Sequence, residues 1–215
     1  MKVSPMDLPD VLLIELDRYP DTRGCLFEAY QIERYRAAGV DVAFFQDNVS
    51  ISRRGVLRGL HLQNPGAQAK LITALEGEIF DVAVDVRRGS PTFGRWTAAV
   101  LSPDNGRQMF IPAGFAHGIY ALSAHIVAHY KCSAPFRPQA SLAIAWDDPD
   151  IGIAWPDRAP QLSEKDARNP RLAEVPPDRL PVYGAAPRRR PRPTGAGASC
   201  SWAGTASSVS SSNGR

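Results

Sequence analysis

The amino-acid sequence predicts a mainly β protein, a sandwich or small barrel of the jelly-roll kind with a few short helices. Three observations lead to this prediction. About eight short apolar or alternating segments follow one another at close spacing, few segments have a helical repeat, and glycine and proline mark the corners. With 215 residues, 44% of them hydrophobic, the chain can bury one good core. Such a barrel has a mouth in which inward-facing polar side chains converge.

The strand with the clearest pattern is predicted at residues 78–86, where side chains alternate between two faces. One face is formed by Phe80, Val82, Val84 and Val86, and the other by Ile79, Asp81, Ala83 and Asp85. Similar segments predict strands at 11–16, around His61, and at 70–75, 96–101, 108–111, 119–122, 125–131 and 142–146. Turn-forming residues separate many of them, at 76–77, 88–91, 102–106 and 112–114.

Two short helices are also predicted. The first covers about residues 32–38 and ends at Gly39, the residue type most typical of the C′ position after a helix. The second begins at Ser163, because Ser163 and Asp166 have the spacing of a capping box.

The domain organisation follows from a change in composition. Residues 1–183 are predicted to form one domain, whereas residues 184–215 are Arg/Pro-rich and then Gly/Ala/Ser-rich, without a periodic apolar pattern, and are predicted to be a disordered tail. The tail holds five arginines and no acidic residue, so the body has 20 basic and 22 acidic residues despite the overall charge of +3. We interpret the arginine run as solvated and expect no nucleic-acid partner.

The cysteines and the hydropathy pattern indicate a compartment. Cys25, Cys132 and Cys200 are odd in number, far apart and without CxxC spacing, which is compatible with a reducing environment. No apolar run has the length of a signal peptide or a membrane span. We therefore predict a cytoplasmic protein with no membrane partner.

The most informative stretch is residues 57–63, Leu-Arg-Gly-Leu-His-Leu-Gln, followed by Lys70. An isolated His61 is compatible with a core histidine bonded to a backbone carbonyl. However, Arg58, Gln63 and Lys70 also lie in or beside apolar strands, and desolvating several polar groups is costly unless they serve a polar cavity. Because imidazole titrates near neutrality and ammonium stabilises an oxyanion, the pattern indicates proton transfer beside a carbonyl.

A metal site is the rival interpretation, and the donor set argues against it. Gln63 stands two residues after His61, no carboxylate follows nearby, and Lys70 would repel a divalent cation. His117 is a second candidate ligand, but two histidines without a third donor form a poor site. We expect no metal and no cofactor.

Two further residues each have two interpretations. Tyr130 shares a predicted strand face with Ile126 and Ala128, and is either an amphipathic rim residue or an acid that protonates an enolate carbon. Asp166 is either the acidic member of the capping box or the carboxylate that orients His61.

Strand parity raises a difficulty for the pair of Arg58 and His61. Residues three positions apart point to opposite faces of a flat strand. A bulge or twist at Gly59 would bring them to the same face.

Eight motifs follow one another in order between residues 21 and 166, and the resemblance that they carry covers about residues 8–172. They are Asp21-Thr22-Arg23-Gly24 with Phe27-Glu28, Phe45-Gln46-Asp47-Asn48, residues 56–61, residues 77–87, residues 89–94, residues 111–118, Trp146-Asp147-Asp148-Pro149, and residues 162–166. Together they resemble the dTDP-4-dehydrorhamnose 3,5-epimerase family, the cofactor-free cupin-fold epimerases of deoxysugar biosynthesis.

This resemblance implies a cupin-type jelly-roll fold and epimerisation at C3 and C5 of a dTDP-4-keto-6-deoxyhexose. The conversion runs from dTDP-4-dehydro-6-deoxyglucose to dTDP-4-dehydrorhamnose by proton abstraction and reprotonation through an enolate. A related enzyme that inverts only C3 is the first alternative. A metallocupin oxygenase or isomerase, and an inactive sugar-nucleotide-binding barrel, are alternatives from other classes.

The resemblance also implies roles for individual residues. His61 is the base, Asp166 its partner, Tyr130 the acid, and Lys70 lies near the sugar C4 oxygen. Sugar or diphosphate is bound by Gln46, Asp47, Asn48, Arg58, His117 and Lys165. The resemblance further implies a homodimer in which the N-terminal strands are exchanged. In such a dimer, Arg23 and Glu28 reach the nucleotide from the partner subunit.

The sequence departs from the family pattern at several positions. Val49 stands where many members have histidine, Pro135 replaces a frequent aromatic although Phe136 remains, and Ser141 replaces a frequent glutamate. Ala128, on the same face as Tyr130, is small where bulky residues are common. These departures bear on nucleotide recognition and on how many carbons are inverted.

Overall fold

The computed structural model describes residues 1–184, which form thirteen strands, one α-helix and four single-turn 3₁₀ helices. The strands are β1 (Lys2–Pro5), β2 (Leu12–Glu15), β3 (Arg18–Asp21), β4 (Gly24–Phe27), β5 (Gln46–Arg53), β6 (Leu57–Gln63), β7 (Lys70–Glu76), β8 (Ile79–Asp85), β9 (Trp96–Leu101), β10 (Arg107–Ile111), β11 (Phe115–Ala121), β12 (His125–Cys132) and β13 (Ser141–Ala143). The helix α1 is Ile32–Ala37, and the 3₁₀ helices are Pro138–Ala140, Asp166–Arg168, Leu172–Glu174 and Pro177–Arg179.

Two antiparallel sheets form the body of the molecule. The six-stranded sheet has the order β1-β2-β10-β7-β12-β5, and the five-stranded sheet has the order β13-β6-β11-β8-β9. Strands β3 and β4 form a separate hairpin. The predicted mainly β, jelly-roll type architecture with a few short helices is thus confirmed.

Three apolar clusters hold these layers together. The first lies between the sheets and joins Ile72 of β7 and Met109 of β10 to Ile79 of β8 and Phe115 of β11. The second covers the outer face of the five-stranded sheet with residues 144–184, called here the C-terminal segment. The third covers the six-stranded sheet with α1. Both faces of β8 are therefore buried, and the acids Asp81 and Asp85 are buried on the face they share with Ile79 and Ala83.

The structure corrects several predicted boundaries. Thirteen strands are present rather than about eight: β1, β3 and β4 have only four residues each, and β5 is mostly polar, with Val49 and Ile51 its only large apolar residues. The strand expected at 119–122 begins at Phe115, and the strand expected at 142–146 is Ser141–Ala143. The predicted first helix is confirmed, with Gly39 at a φ of 97° after it.

The predicted second helix is confirmed only as a single turn. The 3₁₀ helix Asp166–Arg168 forms after Ser163, and half of the expected capping box is missing. The backbone N–H of Asp166 donates to Ser163 Oγ at 3.0 Å, but the Asp166 carboxylate is directed elsewhere. The predicted tail lies outside the described residues, apart from Gly184. Within residues 1–184 no helix is long and apolar enough to cross a membrane.

Candidate functional site

A cavity of about 520 Å³ opens between the two sheets. Seven of the predicted site residues line it: His61, Lys70, Tyr130, Asp166, Arg58, His117 and Lys165. The C-terminal segment closes one side with Gln161, Leu162 and Ser163. This volume is typical of a small-molecule site. Polar side chains converge in the cavity, as was predicted for the mouth of the barrel.

An irregularity in β6 puts Arg58 and His61 on the same side. In the pairing of β6 with β11, His61 is opposite His117 and Arg58 is opposite Ile119, with a register shift between them. His117 and Ile119 are two residues apart on β11 and therefore face the same way. Gly59 at the shift has a φ of 148°, and a Cβ there would lie 2.6 Å from Gly118 Cα. The bulge or twist anticipated at Gly59 is thus present as a register shift.

His61 is held by the buried carboxylate of Asp166. Nε2 of His61 lies 2.6 Å from Asp166 Oδ1, although the two residues are 105 positions apart in the chain. Burial opposes ionisation of Asp166, but hydrogen bonds, that of His61 foremost, outweigh it and lower the pKa of this carboxyl. An ionised carboxylate accepts the Nε2 proton, so that the lone pair of a neutral imidazole is on Nδ1.

Lys70 lies on the other sheet, at the start of β7. Its Nζ is 3.4 Å from His117 Nδ1, and His117 Nε2 is 2.7 Å from Asp81 Oδ1. Burial lowers the pKa of Lys70, and it lowers the pKa of His117 as well. The lysine thus belongs to a connected chain of polar groups that reaches from the cavity into the core.

Tyr130 contributes to the cavity from the wall opposite His61. It lies on β12 of the six-stranded sheet, whereas His61 lies on β6 of the five-stranded sheet. Burial raises the pKa of its phenol, so the hydroxyl keeps its proton through the neutral range. Ala128 is fully buried on the same face of β12, as the alternation predicts.

The predicted binding residues of β5 lie at the edge of this wall. Asn48 is opposite Tyr130 in the ladder and donates to Cys132 Sγ at 3.6 Å. Gln46 donates to Asn48 and accepts from the Phe136 backbone N–H, whereas Asp47 pairs with Lys131 on the outer face. Gln46, Asp47 and Asn48 do not line the cavity itself.

Arg23 and Glu28 are not brought to the cavity by their own chain. Arg23 lies in the turn of the β3–β4 hairpin and pairs with Asp21, and Glu28 pairs with Arg34 at 3.1 Å. Both are exposed or partly exposed and neither lines the cavity.

Two polar atoms in or behind the cavity wall have no described partner. Ser50 Oγ and Asp81 Oδ2 are buried without a hydrogen bond to any residue in 1–184. Buried polar atoms are usually hydrogen-bonded, so these two atoms are exceptions to the rule. Sequence reasoning did not select either residue, although an acid inside the apolar strand β8 was a visible signal. Within the described residues, no group of three or more His, Cys, Asp or Glu side chains is placed to hold a metal ion.

Comparison with known sequences identifies relatives along most of the chain. A profile of the family described as dTDP-4-dehydrorhamnose 3,5-epimerase matches residues 5–174. A relative of that name from Pseudomonas aeruginosa is 49% identical over 177 residues, which cover 81% of this chain and 98% of the relative.

Comparison with solved structures agrees. The dTDP-6-deoxy-D-glucose-3,5-epimerase of Legionella pneumophila, in complex with dTDP-4-keto-L-rhamnose, has a TM-score of 0.83 and 44% identity, covering 86% of this chain and 99% of that one. ChmJ, a 3′-monoepimerase from Streptomyces bikiniensis in complex with dTDP-quinovose, has a TM-score of 0.77 and 36% identity, covering 84% and 93%.

Proposed function

Because the chain belongs to the dTDP-4-dehydrorhamnose 3,5-epimerase family, we propose that the cavity between its two sheets is the active site of this isomerase. The enzyme inverts C3 and C5 of a dTDP-4-keto-6-deoxyhexose, converting dTDP-4-dehydro-6-deoxyglucose to dTDP-4-dehydrorhamnose. One observation supports this location most directly: His61 and Tyr130 enter the same cavity from opposite sheets. Inversion needs a base on one face of the carbon and an acid on the other.

The chemistry starts from the ketone at C4. Hydrogens at C3 and C5 are acidic because the ketone lies between these carbons, and Nδ1 of His61 is the base that removes them. Asp166 stabilises the imidazolium that results. The Lys70 ammonium stabilises the enolate oxygen at C4, and Tyr130 returns a proton to the opposite face of the carbon.

The nucleotide is held by charged and polar groups around the mouth. Arg58 is fixed by bonds from Nε to Ser52 Oγ and from Nη2 to the Ile51 carbonyl, which leaves its other donors for a phosphate. We assign sugar or diphosphate binding to Gln46, Asp47, Asn48, Arg58, His117 and Lys165, as the resemblance implies. A diphosphate bound at Arg58 would place the sugar beside His61.

Solvent deuterium exchange tests the assignment of base and acid. Incubation of the wild-type enzyme with dTDP-4-keto-6-deoxyglucose in D₂O is expected to introduce label at C3 and C5, detected by NMR or mass spectrometry. We expect His61→Ala to lose about 10²- to 10⁴-fold of the exchange at both carbons, since this is the usual contribution of a general base. Tyr130→Phe is expected to keep part of the exchange but not to complete inversion. Equal loss of all exchange in both variants would contradict this division of roles.

The same experiment decides how many carbons are inverted. Buried Ala128 leaves more room behind Tyr130 than a bulky residue would, and ChmJ shows that a relative of this fold is a 3′-monoepimerase. If the phenol is displaced, it cannot deliver the second proton. Label at C3 alone would establish the 3-only alternative, and label and inversion at both carbons would establish the 3,5-epimerase.

We also propose that the active enzyme is a homodimer. The outer face of β5 exposes Val49 and Ile51, which are 59% and 62% accessible, and Leu75 of β7 is exposed as well. The β3–β4 hairpin exposes Tyr19 and Leu26. Exposed apolar groups of this kind are typical of an interface. A second copy would cover them and bring Arg23 and Glu28 to the partner's cavity.

Charge insertion at this face tests the dimer. Val49→Lys together with Ile51→Lys is expected to shift the protein from dimer to monomer in analytical ultracentrifugation, because both ammonium groups would be desolvated at the interface. Val182→Lys, an exposed apolar position elsewhere, is the matched control and is expected to stay dimeric. A monomeric wild-type protein would contradict the proposal.

Mixing two variants tests whether Arg23 of one subunit serves the cavity of its partner. Arg23→Ala is expected to lower kcat/KM by about 10- to 100-fold, the cost of losing a charged hydrogen bond. Refolding an equal mixture of Arg23→Ala and His61→Ala chains is expected to restore about a quarter of the wild-type activity, because each heterodimer then has one intact site. A mixture as inactive as its components would mean that Arg23 acts within its own chain or not at all.

We further propose that residues 1–183 are the single catalytic domain. A cytoplasmic location stays a prediction from cysteine usage.

A further inference from the structure

Asp81 is a fully buried acid for which the proposed reaction has no direct use. It lies on β8 with no solvent exposure, facing the space between the sheets like Ile79 and Ala83. Its Oδ1 contacts His117 Nε2 at 2.7 Å, and its Oδ2 has no partner in residues 1–184. Burying a carboxyl among apolar side chains is costly, so its position here needs a reason.

The hydrogen-bond geometry connects Asp81 to Lys70. A lysine ammonium has only donors, so the contact of 3.4 Å from Lys70 Nζ to His117 Nδ1 requires a lone pair on Nδ1. A neutral His117 then has its proton on Nε2, which faces Asp81. The aspartate therefore fixes the tautomer that presents an acceptor to Lys70.

Burial and the neighbouring groups shift the pKa of Lys70 in opposite directions. Burial lowers the pKa of Lys70 and favours the neutral amine, whereas Cys132 and Asp81 both raise this pKa. The titratable groups facing this region are His117 of β11, Asp81 of β8, His61 of β6, and Tyr130 and Cys132 of β12. Arg58, Lys165 and Asp166 also line the cavity, whereas Asp81 lies behind His117. Burial raises the pKa of Asp81, and the nearby His117 and Lys70 act against that rise.

We propose that Asp81 is a positioning residue for the epimerisation: through His117 it holds the Lys70 ammonium charged and directed at the C4 oxygen of the substrate. This inference rests on the proposed function, since the enolate oxygen is what Lys70 serves. Asp81 itself touches no substrate.

An isosteric variant separates this role from simple packing. Asp81→Asn keeps the size and a carbonyl acceptor for His117 but removes the negative charge. We expect kcat to fall by about 10- to 100-fold with a smaller change in KM, as is usual for a group that orients a catalytic residue. In the pH profile of kcat, the alkaline limb is expected to move to lower pH by about one unit or more. The reason is that the variant lacks the Asp81 charge that raises the pKa of Lys70.

Asp85→Asn is the matched control. Asp85 lies on the same strand, is equally buried, and contacts Arg87, Ser90 and Thr92 rather than the cavity. We expect this variant to lose thermal stability while the alkaline limb of its remaining activity stays at the wild-type pH. An unmoved limb in Asp81→Asn, with stability loss alone, would make Asp81 merely structural and would overturn the proposal.

NMR of the wild-type enzyme gives a test that needs no variant. The ¹⁵N shifts of His117 are expected to show a neutral ring protonated at Nε2 at pH 7, and those of Lys70 are expected to show an ammonium. A ring protonated at Nδ1, or a neutral Lys70, would overturn the inference. Absence of deuterium exchange in the wild-type enzyme would instead overturn the proposed function, so the two failures are distinguishable.

Discussion

The pair of His61 and Asp166 shows how a local motif is diverted to a site. Ser163 caps the short turn through its Oγ, as its spacing predicts, but the carboxylate of Asp166 leaves the turn and contacts the imidazole at 2.6 Å. Asp166 is almost completely buried, whereas His61 keeps 41% of its side chain accessible in the cavity. The carboxyl is thus shielded from water, while the imidazole stays accessible from the cavity.

Asp166→Asn tests this pair. The amide keeps the size but not the charge, so the imidazolium formed during proton abstraction loses its stabilisation. We expect kcat to fall by about 10²- to 10⁴-fold with little change in KM. Steady-state assays and deuterium exchange measure the effect.

Ser163→Ala is the control for the turn. It removes the hydrogen bond from the Asp166 backbone but leaves the contact with His61. A loss of about 0.5–2 kcal/mol of stability is expected, as for other capping residues, with most of the activity retained. Equal loss of kcat in both variants would show that the turn, rather than the charge, is what matters.

At the scale of elements, β6 depends on a close approach to β11. Gly59 has no space for a side chain, because a Cβ would lie 2.6 Å from Gly118 Cα and 3.0 Å from the His117 carbonyl oxygen. Both neighbours are backbone atoms and cannot rotate away. The glycine therefore permits the register shift that brings Arg58 and His61 into one cavity.

Gly59→Ala is expected to destabilise the fold and to damage the site. Overpacking of this kind typically costs about 1–3 kcal/mol, and any relaxation would separate β6 from β11. Urea denaturation measures the stability, and kcat/KM measures the site.

Gly94→Ala controls for backbone conformation. Gly94 also has a positive φ, 76°, but no atom lies within 4 Å of its would-be Cβ. This variant bears only the conformational cost, about 1–2 kcal/mol, and is expected to keep its activity. If the two variants behaved alike, the close approach at Gly59 would have no functional importance.

For the whole molecule, a network around Arg87 joins the barrel to Asp10 and Tyr183. Asp85 accepts from Arg87, and Arg87 also pairs with Asp10 near the N-terminus at 2.8 Å. The same guanidinium lies 4.2 Å from the Phe115 ring centroid and 4.9 Å from that of Tyr183. The network thus fixes the C-terminal segment against the sheets.

This network predicts a specific acid sensitivity. Burial alone would raise the pKa of Asp85, but hydrogen bonds from Arg87, Ser90 and Thr92 lower it below the ordinary 3.8. Because the folded-state pKa is the lower one, the stabilisation is complete above about pH 4 and is lost as the pH falls through the folded-state value. Asp85→Asn is expected to cost about 3–5 kcal/mol at pH 7.

Denaturant titrations between pH 7 and pH 2 measure this linkage. The variant is expected to show a smaller loss of unfolding free energy over the acidic range than the wild-type protein, because its residue 85 does not titrate. Parallel pH profiles for both proteins would mean that other carboxyls dominate acid unfolding.

Local pattern determined much of this protein from the sequence alone. The alternation along 78–86 and 125–131 correctly assigned side chains to faces, since strand geometry alone sets the period of two. The eight motifs identified the family. The sequence also selected seven side chains that line one cavity, because polar groups within apolar strands are costly unless a site uses them.

Only the tertiary structure decided how these groups meet. His61 and Asp166 are 105 residues apart, and no local period encodes their contact. The register shift at Gly59 and the position of Asp81 behind His117 come from the pairing of β6, β11 and β8. A strand's own pattern states which face a residue takes, but the neighbouring strands and the opposing sheet determine what that face meets.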